Sequence, residues 1–317
     1  MPKIDVPQGE ERNEALLRVI AEHICRHYAR DVSLVLVYGS VAQGRQTPSS
    51  DLDLAFIPCT DRGRTLSMTF ILEGVGYDFF PISWNRLRRQ VEGRDAFLTY
   101  VRGARVVFAA SPEVVWRYED MCQRAELDIH RQGYAPVQRT EPFLDRAFTE
   151  LGRIAVADNL AECRGAAGAL LERVMDALHV MNRHFDRPGR NWTETLYSLP
   201  RHPEGLREKI EAIVNAETCT AILDTARDLL AATIREHRRM AVGMPWIHKP
   251  AKILPGVLEE IRSNWYHKII GAAEDGDAVQ AFVAGAAQQR LLDQVAKEGI
   301  VLPVFRTTLQ GNKPTYS

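Results

Sequence analysis

Long apolar runs are missing from this chain. No stretch approaches the roughly 20 residues that a bilayer-spanning helix needs, although 45% of the residues are hydrophobic. The apolar residues are instead spread through segments that can bury one face. A net charge of −1 over 317 residues lacks the basic excess of a dedicated nucleic-acid binder. Cysteine is sparse. Cys25, Cys59, Cys122, Cys163 and Cys219 are odd in number and include no C-x-x-C pair, which excludes a fully paired disulfide framework and argues against a zinc site. They read as reduced thiols of a cytoplasmic protein. Pro2-Lys3-Ile4-Asp5-Val6-Pro7 lacks the basic-then-apolar build of a secretory signal. No repeat and no low-complexity segment is seen. The length allows a sizeable core and two domains.

The most informative segment runs from Val37 to Ile57. A hydrophobic strand enters Gly39-Ser40, a polar loop follows, and Asp51 and Asp53 sit one residue apart in a second strand. Alternate strand residues share a face. The two carboxylates therefore project together, while Leu52, Leu54 and Phe56 enter a core. Like charges placed side by side repel, and Mg²⁺, which prefers hard oxygen ligands, relieves that repulsion. Gly39-Ser40 is placed to open a helix whose backbone N–H groups face an anion such as phosphate. Gly76 to Ser83 alternates in strand fashion around Asp78. Asp78 supplies the further carboxylate that a two-metal transfer site needs.

Periodicity predicts an amphipathic helix over 11–30 and strands near 33–38, 51–57, 76–82 and 105–108. Helices are expected at 85–92 and 112–130. Residues 131–142, with two prolines and a glycine, read as a linker. Helical patterns follow at 143–163, 164–186, 203–216, 218–240, 255–272 and 276–299, with a last strand signal at Ile300-Val301-Leu302. The expected class is α+β: a mixed-sheet catalytic domain over 1–130, the linker, and an all-α substrate-binding bundle over 143–317.

Gly39-Ser40, Gly44-Arg45-Gln46-Thr47, Ser50-Asp51-Leu52-Asp53 and the later Asp78 together resemble the nucleotidyltransferase superfamily that includes DNA polymerase β. Within it, the local text is similar to kanamycin nucleotidyltransferase and related antibiotic adenylyltransferases. The resemblance implies that Asp51, Asp53 and Asp78 hold two Mg²⁺ ions. It implies that Gly39, Ser40, Arg45 and Ser50 contact the nucleotide, and that AMP passes from ATP, or another nucleoside triphosphate, to a hydroxyl of a small acceptor. Glu150 falls where the family carries its proton acceptor, with Arg153 one turn on; Asp145, Glu162 and Glu172 compete for that role. The resemblance also implies a homodimer with shared active sites.

Other residues have plainer readings beside functional ones. His179 and His184 read as core or cap histidines, and Trp192, Trp246 and Trp265 as core or pocket walls. Arg86, Arg88 and Arg89 read as a solvated helix face or a phosphate contact. An aminoglycoside acceptor, a polycation, calls for an acidic pocket, yet about 22 basic residues face about 23 acidic ones from 141 onward. A protein or tRNA acceptor is the alternative on the same fold. A catalytically silent nucleotide-binding protein is the alternative in another class.

Overall fold

The computed structural model describes residues 9–45, 47, 50–130, 135–186, 192–241 and 265–297. The chain divides into two compact units, Met1–Met244 and Pro245–Ser317.

The first unit is organised by a sheet of order β3-β4-β2-β1-β5. At its centre, β1 (Val32–Tyr38) is rich in β-branched and apolar residues and buried along its whole length. It pairs antiparallel with β2 (Asp53–Pro58) and with β5 (Arg105–Ala109). On the other side, β2 pairs in parallel with β4 (Val75–Pro81). The edge strand β3 (Met68–Leu72) pairs antiparallel with β4. The mixed sheet expected from the sequence is thus present. The strand β3 was not expected. It joins β4 through Glu73-Gly74, both with positive φ, the signature of a type I′ hairpin turn.

The two faces of the sheet bury different things. Val35, Val37, Leu54, Phe56 and Phe79 form one cluster, covered by Leu17 and Ile24 of α1 (Gly9–His27). Leu34, Leu36, Tyr38, Ala55 and Ile57 face the opposite way. Over them lie α4 (Trp84–Val91) and α5 (Pro112–Ile129). The short helices α2 (Gly39–Ala42) and α3 (Asp61–Arg64) connect strands.

That second cluster runs without a break into the helices. These are α6 (Ala135–Ala155), α7 (Leu160–Met181), α8 (Trp192–Tyr197), α9 (Leu206–Asn215) and α10 (Cys219–Ala241). Sheet and bundle share one core, from Leu34 to Met240. The expected linker is corrected accordingly. From Ala135 onward it is the start of α6, and Pro142 lies inside the helix. Pro136 sits in the first turn, where no helical N–H bond is lost. Pro142 does remove one, at a cost of about 3 kcal/mol. Burial of Val137, Phe143, Leu144 and Ala147 offsets it.

The break between α6 and α7 falls at 156–159, not at 163 as the periodicity suggested. The reason is a capping box. The Asn159 side chain accepts from the Glu162 backbone N–H (3.0 Å), and the Glu162 carboxylate accepts from the Asn159 side chain (2.8 Å) and the Asp158 N–H (3.3 Å). Glu162 is therefore occupied as a cap.

In the second unit, His267–Glu274 and Ala278–Lys297 form a helix pair with Ala272 and Ala284 buried. Trp246 and residues 300–302 lie outside the described residues. Among the described residues, no helix is long and apolar enough to cross a membrane.

Candidate active site

Register places the aspartates. Asp53 opens β2 and is paired with Tyr38 on one side and with Asp78 on the other. The β2–β4 pair is parallel and Asp53 lies directly opposite Asp78, so the two side chains leave the same face of the sheet. That face is the one shared by Ala55 and Ile57, on the bundle side. Asp51, two residues before Asp53 and exposed, lies on the approach to the strand rather than within it.

Tyr38, the partner of Asp53, closes the apolar floor beneath this edge. Its ring stands edge-on to Phe80 (6.3 Å) and to Tyr100 (5.1 Å). The chain then turns at Gly39, with φ of +72°. A Cβ at Gly39 would lie 2.1 Å from Asp53 Oδ2. Only glycine combines this backbone with so close a carboxylate. The Gly-Ser turn expected to face a phosphate thus packs directly against the middle aspartate. Ser40 is half-buried in the first turn of α2.

The side chains are less convergent than the backbone. Thr69 donates to Asp78 Oδ1 at 2.7 Å. Asp51 and Asp78 form no ion pair among the described residues. Among the described residues, no three His, Cys, Asp or Glu side chains are gathered closely enough to hold a metal ion. Carboxylate oxygens are nonetheless the donors that Mg²⁺ prefers, and Asp53 and Asp78 lie opposite each other on neighbouring strands, with the Asp53 carboxylate packed against Gly39.

The loop between the strands is tied down by Ser50. Its Oγ accepts from the Thr47 N–H (2.8 Å) and contacts Thr47 Oγ1 (3.0 Å). Its carbonyl accepts from Arg12 Nη2 (3.4 Å) and Asn13 Nδ2 (3.3 Å), and Asn13 in turn accepts from the Tyr77 hydroxyl at 3.2 Å. Ser50 is buried, so it holds the loop against α1 and β4. Arg45 is exposed and bonds the Gln43 side chain.

Glu150 lies elsewhere on the bundle side, on α6. It lines a cavity of about 1030 Å³ and accepts from Arg153 at 2.9 Å. Both the ion pair and a place on a cavity wall are realised. The three aspartates are not on that wall, which Tyr100 and Arg86 bound on the sheet side and α7 on the other. Trp192 also lines it. Arg86 and Arg89 both pair with Asp95, while Arg88 turns to Asn85 and Glu92.

Two wall residues of α7 escaped the sequence reading as titrating groups. Burial pushes Asp176 up to about 6 even though Arg173 Nη1 lies 2.9 Å away. Burial, then the neighbouring His184 ring, lowers His179 to about 4. The Nδ1 atoms of the two histidines are 3.1 Å apart. Helical spacing from Glu172 to His179 was the only available signal, and it says nothing about which carboxylate is desolvated.

No protein-family profile and no curated protein matches the chain. Among solved structures, the chain is similar to a nucleotidyltransferase-like protein from Exiguobacterium sibiricum. The two are 11% identical, with 84% of this chain and 91% of the other covered, at a TM-score of 0.30. The functional reading therefore rests on the geometry of the sheet edge.

Proposed function

We propose that this chain is a metal-dependent nucleotidyltransferase that moves a nucleoside monophosphate, AMP in the first instance, onto a hydroxyl of a small molecule. One observation carries the reading: Asp53 and Asp78 are directly opposed on parallel strands, with Gly39 packed against the Asp53 carboxylate. Asp51, Asp53 and Asp78 would hold Mg²⁺, which when bound supplies charge neutralisation for the triphosphate and Lewis acidity for the attacking oxygen. Gly39 and Ser40 present their backbone N–H groups to the departing phosphates. Arg45, exposed and bonded to Gln43, would offer further phosphate contact. Ser50 acts at one remove, by fixing the loop.

The acceptor occupies the large cavity in this reading. Glu150 is the first candidate to take its proton, and Asp176, titrating near 6, is the second. The wall carries five arginines against four carboxylates. We therefore favour a neutral or anionic hydroxyl compound over an aminoglycoside.

The test is pyrophosphate release from ATP and Mg²⁺ with a panel of hydroxylated acceptors. Wild type should release pyrophosphate in an acceptor-dependent way, and Asp53→Asn should lose at least 100-fold, as expected when a charge-stabilising group is removed. Glu150→Gln against Asp176→Asn separates the two proton acceptors. A second reading, a silent nucleotide-binding protein, is favoured by the loose arrangement of the carboxylates. ATP binding without pyrophosphate release under any acceptor would support it.

A further inference from the structure

Beside the large cavity lies a second, of about 440 Å³, whose wall includes Glu92, Gly93, Asp128, Arg139 and Phe185. Arg139 is its most unusual component. Its side chain is only 8% exposed. Nη1 donates to Asp128 at 2.7 Å, and the guanidinium lies over the Phe185 ring at 4.6 Å. Nε and Nη2 are buried with no hydrogen-bond partner. These two atoms are not a random pair. They form the side-on edge of the guanidinium, whose two N–H bonds run parallel and match two oxygens of one anion. Buried donors are almost always satisfied, so an unfilled fork on a cavity wall points to a ligand.

Gly93 faces that edge without a side chain. Its φ is +70°, and a Cβ there would stand 3.1 Å from Arg139 Nε and 3.2 Å from Cζ. Charge on the wall also fits an anion. Arg94, Arg139, Arg146 and Arg183 contribute four positive charges, and Glu92 and Asp128 two negative, leaving two positive among the described lining residues. Arg94 is tied to Glu92. Arg146 makes no ion pair among the described residues and lies 5.7 Å over the Phe143 ring.

We infer that the Arg139 cavity is a binding site for a dianionic phosphate group, gripped through the Nε–Nη2 edge of Arg139. A carboxylate would match the fork but not the twofold excess of charge. Arg94 and Arg146 line both cavities, so the two are neighbours. The site does not depend on nucleotide transfer and is distinct from the Asp53 edge.

The probe is inorganic phosphate titrated into the full chain by calorimetry, with EDTA present. Wild type should bind saturably, and acetate at least tenfold more weakly. Arg139→Gln should weaken phosphate at least tenfold, and Arg139→Lys should recover only part of that loss because it keeps the charge but not the fork. Arg146→Gln, at a residue with no ion pair to lose, should weaken it severalfold and serves if the Arg139 variants do not fold. Asp53→Asn should leave the affinity unchanged. The inference is overturned by absence of saturable binding to wild type, by equal affinity in a folded Arg139→Gln protein, by acetate binding as well as phosphate, or by loss of binding in Asp53→Asn.

Discussion

Asp176 and His179, one turn apart on α7, should give the protein a nearly cancelling pair of pH responses that a single substitution exposes. His179 titrates near 4 in the fold against 6.5 when solvated. The unfolded chain therefore takes up its proton first, and stability is lost as pH falls from 6.5 toward 4. At about 1.36 kcal/mol per pH unit, the loss is about 3 kcal/mol. Asp176 titrates near 6 in the fold against 3.8 when solvated. Here the fold holds the proton more tightly, so stability is lost as pH rises from 3.8 through 6, again by about 3 kcal/mol. Between pH 4 and 6 the two slopes oppose. Asp176→Asn removes the second. Relative to wild type it should be indifferent near pH 4 and more stable by up to about 3 kcal/mol at pH 7. His179→Gln should show the reverse trend, with its relative stability highest at pH 4. Urea unfolding at half-unit steps from pH 4 to 7 measures both, and taking differences from wild type removes the titration of all other groups. If both differences stay constant within about 0.5 kcal/mol, the burial assigned to these side chains is wrong.

Two other expectations concern the sheet edge and the core. Gly39→Ala forces a Cβ into Asp53 Oδ2 at a left-handed backbone position; it should cost about 1–2 kcal/mol in thermal unfolding, and it should abolish Mg²⁺-dependent ATP turnover. Wild-type stability in that variant would refute the packing of Asp53 against Gly39. Leu170 is fully buried in the core that runs from the sheet into the bundle, so Leu170→Ala should cost about 3–5 kcal/mol and move one transition seen alike by helix and sheet probes. Separate transitions would restore a domain boundary near 131–142.

What the sequence made legible follows the range of the interactions involved. The strands carrying Asp53 and Asp78 were readable because alternation is a local property, and register then did the rest. The hairpin partner β3 was missed because Met68–Leu72 is an edge strand with exposed positions and little alternation. The linker was misplaced because Pro136 and Pro142 speak of local backbone cost, whereas Val137 and Phe143 are held by distant neighbours. His237 of α10 contacts the Val137 carbonyl at 3.0 Å, across 100 residues of chain. No window along the sequence contains that bond. The capping box at Asn159–Glu162 was legible in principle, as an Asn followed three residues later by Glu, but the helical stripe across it was the stronger pattern.

The same distinction separates the two kinds of site. Asp53 and Asp78 come from strand positions whose spacing is set by the backbone, so residue type and number alone suffice to set them opposite each other on β2 and β4. The arginine-lined cavities draw instead on α4, α5, α6 and α7. Arg139 has its unpaired edge because Asp128 takes one nitrogen, Phe185 lies against the guanidinium and Gly93 faces it without a side chain. Each of those contacts is tertiary. A larger residue at Gly93 would press its Cβ to 3.1 Å from Arg139 Nε at a left-handed backbone position. The discriminating position for the phosphate site is thus a residue with no side chain at all, which is why charge patterning along the chain could not reveal it.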